Sequence, residues 1–198
     1  MSALPASTAP PTPVHTGLQA RRFRLNVLRG ERTSVTGKLL ENRHAGAPGR
    51  VVSLQALVGR RWRTLTRTHT RAGGRFRLSY SPSRLGSEVV RLRFAGAPDL
   101  LGSHRRLGRL NVYRLAEASW YGGGGSLACG GWLSSSTMGV ANKTLPCGTL
   151  VTLRYGGRSV RVPVIDRGPY VEGREFDLTE ATKQALGFAG TGEVWSTG

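Results

Sequence analysis

Apolar and charged residues alternate with a period of two along much of residues 21–113. Residues 75–80 read RFRLSY and residues 89–94 read VVRLRF, so apolar side chains fall on one side of each run and arginines on the other. Such alternation predicts strands with one face in a core and the other in water. The segments VVSLQALV (51–58) and RRWRTLTRT (60–68) predict two more strands around a turn at Gly59.

Short strands at regular spacing predict a small β-sandwich, Ig-like in the broad sense, over residues 20–114. Gly73-Gly74 separates two alternating runs and predicts a hairpin turn. Residues 1–19 are rich in Pro, Ser, Thr and Ala, which predicts a disordered leader or linker. This segment shows neither a basic start nor an apolar stretch typical of a signal peptide.

The residue pattern of the sequence changes after about residue 115. TLVTLRY (149–155) and RSVRVPVID (158–166) predict two strands joined by a Gly156-Gly157 turn. TEATKQALG (179–187) predicts a helix with Thr179 as N-cap and Gly187 past its end. Many strands with one short helix indicate a compact barrel over residues 115–198. The predicted fold class is therefore all-β with one short helix.

The net charge of +18 is carried almost wholly by the first part of the chain. Residues 1–117 hold 22 Lys and Arg against 5 Asp and Glu, whereas residues 118–198 hold 7 against 6. The basic part is expected to attract polyanions, such as nucleic acid, anionic wall polymers or a membrane surface. The alternative is that these arginines only lie on the solvent-exposed faces of strands and bind no partner. No apolar stretch is long enough to predict a membrane span.

The two cysteines, Cys129 and Cys147, both lie in the C-terminal part. An even count within one domain suggests a disulfide and an oxidising compartment. The alternative is a pair of unrelated buried thiols. Two cysteines without a nearby histidine supply too few ligands for a metal site, so no metal or other cofactor is predicted.

Carboxylates are the candidate catalytic groups of the C-terminal part. All four histidines precede residue 105, which excludes a Ser–His or Cys–His pair within residues 115–198. Asp166 and Asp177 each follow an apolar strand and precede turn residues. A carboxyl beside Val162, Val164 and Ile165 is expected to be partly desolvated, which favours its protonated form. The alternative for each aspartate is a turn residue bonded to backbone amides.

Four segments together resemble the RlpA-like double-psi β-barrel family of rare lipoprotein A and septal-ring lytic transglycosylases. They are ASWYG (118–122), KTLPCGT (143–149), VPVIDRGPYVEGREFDLT (162–179) and the LG of the following helix. The resemblance covers essentially all of the C-terminal part and implies a six-stranded barrel related in fold to expansins and barwin-like proteins. It also implies a disulfide between Cys129 and Cys147, as in one subgroup.

The resemblance implies an extracytoplasmic protein that acts on peptidoglycan. Lytic members cleave glycan strands without water: an acid protonates the bridging oxygen while the sugar's own 6-hydroxyl closes an anhydro ring. The Asp of DRGP, here Asp166, is that acid, and Asp177 lies where related barrels keep a second functional acid. Trp120 and Tyr121 are expected to line the groove and stack on sugars, or alternatively to pack in the core. Arg167 and Tyr170 are also expected to bind substrate.

Two departures from the family pattern weigh against catalysis. Lytic members have a histidine where this chain has Asn142, and an acid or amide where it has Gly131. An asparagine can hold a hydroxyl by hydrogen bonds but cannot shuttle a proton. General acid–base catalysis contributes roughly a hundred- to ten-thousand-fold, so its loss favours a non-catalytic, expansin-like wall-binding module.

The sequence therefore predicts a secreted wall protein that binds glycan strands, with Asp166 positioned to cleave them. The non-catalytic binding module is the alternative. The basic sandwich is predicted to hold anionic wall polymer. A nucleic-acid-binding protein is a third hypothesis that rests on charge alone, because no recognition module is visible. The glycines 122–125 do not form a phosphate-binding loop, since no GK[ST] follows them.

Overall fold

The structure is a computed structural model that describes residues 12–21 and 23–198. Nearly all its regular elements are strands, which confirms the predicted all-β class with one short helix. The first eight strands are β1 (Thr16–Ala20), β2 (Asn26–Leu28), β3 (Thr33–Glu41), β4 (Ala45–Gly46), β5 (Val51–Val58), β6 (Arg61–His69), β7 (Arg75–Tyr80) and β8 (Gly86–Phe94). The later elements are β9 (Ser103–Tyr121), β10 (Gly125–Ser126), β11 (Trp132–Leu133), β12 (Val140–Asn142), β13 (Leu150–Tyr155), β14 (Arg158–Asp166), β15 (Phe176–Thr179), α1 (Glu180–Leu186) and β16 (Gly192–Ser196).

The chain divides into two compact units that are not contiguous in sequence. Unit 1 comprises the described part of residues 1–24 together with 33–80 and 88–109, and unit 2 comprises 25–32, 81–87 and 110–198. The long strand β9 begins in unit 1 and ends in unit 2. The contiguous domain limits at residues 20–114 and 115–198 stay a prediction.

Unit 1 is built from two antiparallel sheets, which confirms the predicted β-sandwich. In one sheet β3 pairs with β1, β4 and β7, and in the other β5 lies between β6 and β8, with β9 beyond β8. The alternation seen in the sequence buries one face of each sheet. Its fully buried members include Val35, Leu39, Leu54, Leu78 and Leu92.

Two glycine-containing turns of unit 1 show how far the local sequence decides which strands pair. The Gly59 turn joins β5 to β6 as predicted, with Val58 paired to Arg61. The hairpin predicted at Gly73-Gly74 is wrong, because β6 pairs with β5 and β7 pairs with β3. The 3-10 turn Ala72–Gly74 instead carries the chain from one sheet to the other. Glycines favour a tight turn in either case, and only tertiary packing decides which strands pair.

The predicted leader, residues 1–19, falls mostly on residues outside the described part of the chain. Within the described residues of this segment, β1 pairs residue by residue with β3 from Thr16 onward. Leu18 supplies a buried apolar side chain among small and polar neighbours. The last residues of the predicted leader therefore belong to the sandwich.

Unit 2 contains a closed six-stranded barrel. Its strands follow the order β15, β12, β14, β13, β16 and β9, and a further pairing of β15 with β9 closes the ring. The pairs β12–β14 and β15–β9 are parallel, and the other ladders are antiparallel. Side chains from all six strands and from α1 fill its core, including Ala118, Val140, Val164, Leu153, Phe176, Leu178, Leu186 and Val194.

Two local predictions in unit 2 are confirmed. Gly156 and Gly157, which both have positive φ, form a two-residue turn between Tyr155 and Arg158. Helix α1 starts at the N-cap Thr179, whose side-chain oxygen accepts from the Thr182 amide, and ends at Gly187 in the left-handed region. These signals are local, so the sequence suffices to predict them.

Candidate functional site

Both predicted aspartates lie in one row across four strands of the barrel. Asp166 on β14 is opposite Ala141 on β12, Ala141 is opposite Asp177 on β15, and Asp177 is opposite Ser119 on β9. Residues in register project from the same face of a sheet. Neighbouring strands lie about 4.8 Å apart, so the two aspartates are separated by roughly 10 Å with only a methyl group between them.

A β-bulge sets the direction of Asp166. Val140 pairs with Val164, but its neighbour Ala141 pairs with Asp166, so β14 carries one additional residue, Ile165. Strict alternation would place Asp166 on the core-facing side with Val164, and the bulge turns it to the opposite side. The structure thus differs from the expectation that Asp166 rests among these core valines.

Glycine at position 139 makes room for this bulge. A Cβ atom at Gly139 would lie 2.3 Å from Cδ1 of Ile165, closer than any packed contact. The amide of Gly139 donates to the hydroxyls of Thr179 at 3.2 Å and Thr182 at 2.9 Å. The small residue and the two buried threonines therefore fix the backbone beside the aspartate row.

The carboxylate of Asp166 is held through one oxygen. Oδ1 accepts hydrogen bonds from the backbone amides of Ala128 at 2.9 Å and Arg167 at 2.8 Å. Within the described part of the chain, Oδ2 receives no hydrogen bond of ordinary geometry, although the Tyr121 hydroxyl interacts with this carboxyl. Asp166 is thus oriented by main-chain amides, as the turn-residue alternative expects, and still keeps one oxygen for a proton.

Tyr121 lies within electrostatic reach of both aspartates. Burial raises the pKa of its phenol well above the ordinary value, and the negative charges of Asp166 and Asp177 raise it further. Its hydroxyl is buried and has no partner of ordinary hydrogen-bond geometry among the described residues, Asp166 included. The site therefore contains a neutral O–H donor beside two carboxylates.

Asp177 is held by a chain of side chains that the sequence did not reveal. The hydroxyl of Ser119 donates to Oδ1 of Asp177 and accepts from Nη1 of Arg174 at 3.3 Å. Ser119 lies two residues before Tyr121 on β9, so both project from the same face. Alternation within ASWYG could have identified Ser119, whereas nothing in the sequence pointed to Arg174.

Asn142, at the position of the family histidine, is occupied by main-chain contacts. Its Nδ2 donates to the carbonyl of Glu175 at 2.9 Å, and its Oδ1 accepts from the amides of Thr144 at 3.1 Å and Leu145 at 2.8 Å. It is buried and pairs across the sheet with Phe176 rather than with either aspartate. These contacts hold the turn after β12.

Arg167 holds the same segment from the other side. Its Nη1 donates to the carbonyls of Asn142 at 3.0 Å and Leu145 at 2.9 Å, and its Nη2 lies 3.1 Å from Sγ of Cys147. The guanidinium, for which we predicted substrate binding, is engaged in these contacts. Its backbone amide is the part that reaches Asp166.

Cys129 and Cys147 form a disulfide, which confirms that prediction. Cys129 directly follows Ala128, the amide donor to Asp166, and its own amide donates to the carbonyl of Ile165 at 3.2 Å. The disulfide therefore ties the segment that orients Asp166 to the segment that Arg167 holds. Gly131, where the family has an acid or amide, lies in the same loop at φ +91°.

The aromatic residues predicted to line one groove do not share a face. Trp120 pairs with the buried Leu178 and lies on the opposite side of β9 from Tyr121. The ammonium of Lys183 sits 3.6 Å from the centre of the Trp120 ring, as a cation–π contact. Tyr170 is 83% exposed, and Trp132, for which the sequence predicted no role, is 68% exposed.

Two further properties of the described residues bear on the site. They contain no group of three or more His, Cys, Asp or Glu side chains placed to hold a metal ion. None of their helices is both long and apolar enough to cross a membrane.

Residues 115–195 match the lytic transglycolase family. The chain is 42% identical over 87 residues to the probable endolytic peptidoglycan transglycosylase RlpA of Aquifex aeolicus, covering 41% of this chain and 38% of that protein. It is 40% identical over 81 residues to the endolytic peptidoglycan transglycosylase RlpA of Neisseria meningitidis, covering 38% and 34%. The chain thus spans little more than a third of either relative.

Among solved structures, Streptomyces papain inhibitor is similar to this chain, with 27% sequence identity and a TM-score of 0.36. The match covers 42% of this chain and 90% of the inhibitor chain. At that TM-score the likeness bears on neither fold nor function.

Proposed function

Since residues 115–195 form a domain of the RlpA-like double-psi β-barrel family, we propose that this protein acts outside the cytoplasm on the glycan strands of peptidoglycan. The barrel binds the strand over the aspartate row, and Asp166 cleaves it by lytic transglycosylase chemistry. The disulfide supports an extracytoplasmic location, because such bonds persist in oxidising compartments.

The single observation that carries the enzymatic proposal is the state of the Asp166 carboxylate. Two backbone amides hold Oδ1 and so orient the carboxyl, while Oδ2 receives no hydrogen bond of ordinary geometry from a described residue. A general acid needs this combination of a fixed direction and one oxygen that can carry a proton to the leaving group. The bulge at Ile165 gives the direction, away from the core.

The reaction needs one proton donor and one proton acceptor. Asp166 donates a proton to the bridging oxygen, the C1–O bond breaks, and the 6-hydroxyl oxygen of the same sugar bonds to C1. The proton of that hydroxyl passes to a carboxylate. Asp177 lies in register with Asp166 across Ala141 and is the second carboxylate available for this role. The Ser119 hydroxyl donates to Oδ1 of Asp177 and so orients this carboxyl.

A non-catalytic, expansin-like module is the second candidate, and the contacts of Asn142 favour it. Both polar atoms of that side chain are bonded to main-chain groups at 2.8–3.1 Å, so the side chain supports the turn, and as an amide it cannot shuttle a proton. Gly131 likewise supplies no acid or amide. A barrel with one fixed carboxyl and exposed aromatic residues can still bind glycan through hydrogen bonds and stacking.

Incubation of the purified protein with peptidoglycan, followed by mass spectrometry of the soluble products, separates the two candidates. The enzyme releases anhydro-muropeptides, Asp166→Asn abolishes their release, and Glu193→Gln at an exposed carboxylate on β16 leaves it unchanged. Release that survives Asp166→Asn contradicts the assigned acid. If wild type binds peptidoglycan and releases nothing while Asn142→His does release product, the protein is the binding module.

The basic sandwich is proposed to hold the protein on anionic wall polymer, in keeping with the charge carried by residues 1–117. Sedimentation with insoluble wall material across a salt series tests this role. Charge-driven retention falls as salt rises, because screening shortens the range of surface electrostatics to about 8 Å at physiological ionic strength. Retention that is independent of salt contradicts it.

A further inference from the structure

A basic groove lies within unit 1, where β1, β3 and β7 run side by side. Its volume is about 850 Å³, and Arg21, Lys38, Arg75 and Arg105 are the charged residues that line it. All four side chains are exposed, and none of the described residues that line the groove is acidic. We call this surface the β3–β7 groove.

The arrangement of these cations is unfavourable for the protein alone. Lys38 and Arg75 lie directly opposite each other in the antiparallel β3–β7 ladder. Like charges in that position destabilise a sheet, whereas an opposite charge would stabilise it. Within the described part of the chain, none of the four cations forms an ion pair, although Arg50 of the same unit is paired with Asp99.

We infer that the β3–β7 groove is a binding site for the phosphate groups of a linear polyol-phosphate polymer. Three of its four cations are arginines, whose planar guanidinium can donate two parallel hydrogen bonds to one phosphate. Four cations along an open groove suit a repeated anion better than a single small one. A bound phosphate between Lys38 and Arg75 would convert their repulsion into two attractions.

The lining of the groove argues against nucleic acid as its occupant. Proteins that bind single-stranded nucleic acid combine a basic groove with exposed aromatic rings on which bases stack. Among the described residues that line this groove, Phe76 is the one aromatic side chain, and it is 4% exposed. The groove can therefore contact a phosphodiester backbone but offers no ring to a base. The choice of a wall polymer as the source of phosphate rests on the proposed function. The inference that the groove binds phosphate groups does not.

The test measures binding of the full chain to fluorescently labelled poly(glycerol phosphate) by anisotropy. Lys38→Gln with Arg75→Gln is expected to weaken binding about tenfold or more, since charge-assisted hydrogen bonds are the strong ones. The control is Arg60→Gln with Arg61→Gln, which removes the same charge from the exposed β5–β6 turn and is expected to change affinity by less than about threefold. Equal weakening by both pairs would mean that net charge alone attracts the polymer, and would overturn the site.

Two further measurements close the remaining alternatives. Arg75→Lys keeps the charge but loses the planar fork and is expected to bind with intermediate affinity, while circular dichroism confirms that each variant is folded. Single-stranded DNA of matched charge is expected to bind more weakly than the polymer; tighter binding that depends on Lys38 and Arg75 would overturn the assignment in favour of nucleic acid. Polymer binding is measured without peptidoglycan, so it stands or fails separately from glycan cleavage.

Discussion

Asp166 and Asp177 lie in register on the two sides of Ala141. Asp166 is on β14, which pairs in parallel with the strand of Ala141, and Asp177 is on β15, which pairs antiparallel with it. No residue larger than alanine separates the carboxylates along this row. Residues 11 positions apart in sequence are thus brought to one face of the barrel by a third strand. The relationship depends on the β14 bulge and on the parallel pairing of β12 with β14.

Filling the gap between the carboxylates should block the site. Ala141 is 3% exposed, so Ala141→Leu adds three carbons above a packed surface and is expected to lower the free energy of unfolding by about 1–3 kcal/mol. Glycan binding or cleavage should fall by a larger factor than the remaining folded fraction explains. Urea unfolding and product release measure the two effects, and Ala185→Leu on the exposed side of α1 is the control.

Removing the disulfide should affect both stability and the orientation of Asp166. Cys129→Ser with Cys147→Ser releases a loop with a sequence separation of 18 residues. The chain-entropy relation predicts a loss of about 3 kcal/mol for a loop of this size. Urea unfolding of the oxidised and variant proteins measures the loss. The Ala128 amide should also show faster hydrogen exchange than in the wild type, and unchanged exchange would contradict the coupling to Asp166.

Asn142 should behave as a structural residue. Asn142→Ala removes three part-buried hydrogen bonds, those to the amides of Thr144 and Leu145 and to the carbonyl of Glu175. A typical hydrogen bond contributes about 0.5–1.5 kcal/mol, so a loss of about 2 kcal/mol in the free energy of unfolding is expected. Ser135→Ala in an exposed loop is the control, and calorimetry or urea unfolding measures both. A cost below 0.5 kcal/mol, about that of a surface change, would contradict this role.

Tyr121→Phe should separate stability from function at neutral pH. Its buried hydroxyl has no hydrogen bond of ordinary geometry to a described residue, so its removal is expected to leave the free energy of unfolding unchanged or raise it by about 1 kcal/mol. Binding or cleavage of glycan should nevertheless fall, because the site loses its neutral donor beside the two aspartates. A variant that keeps full activity would show that the hydroxyl serves no purpose in the site.

The same variant should change the response to alkaline pH. The pKa of Tyr121 is raised in the folded state, so above the ordinary tyrosine value of about 10 the unfolded chain loses a proton that the folded chain keeps. Ionisation of this tyrosine therefore leaves stability unaffected below that pH and lowers it as the pH rises above it. Wild type should therefore lose more stability between pH 9 and pH 11, roughly spanning that value, than Tyr121→Phe does. Tyr170→Phe, at an exposed tyrosine, is the control.

The elements that the sequence predicted best are those whose signals are local. Thr179 and Gly187 bound α1 because an N-cap hydroxyl and a left-handed C-cap act within one turn of their helix. The Gly156-Gly157 turn follows from the same kind of rule. Gly73-Gly74 carries a similar signal, yet it joins two sheets, because pairing partners are chosen by packing over long distances in the chain.

The face that each site residue occupies was the property least accessible from sequence. Alternation along β14 would send Asp166 toward the core with Val164, and the bulge at Ile165 reverses this through its contact with Gly139. The functions of Asn142 and Arg167 as supports of a turn depend on carbonyls and amides that no side-chain pattern reports.

The sequence by itself determined the strand-rich class, the helix ends, the family motifs and the asymmetry of charge, since each depends on residue type and short-range spacing. Tertiary structure alone decided that Asp166 and Asp177 share a row, that the disulfide segment orients one of them, and that Lys38 meets Arg75 across a ladder. The physical reason is that strand register and bulges are set by packing between distant segments, and a shift of one residue exchanges the two faces of a strand.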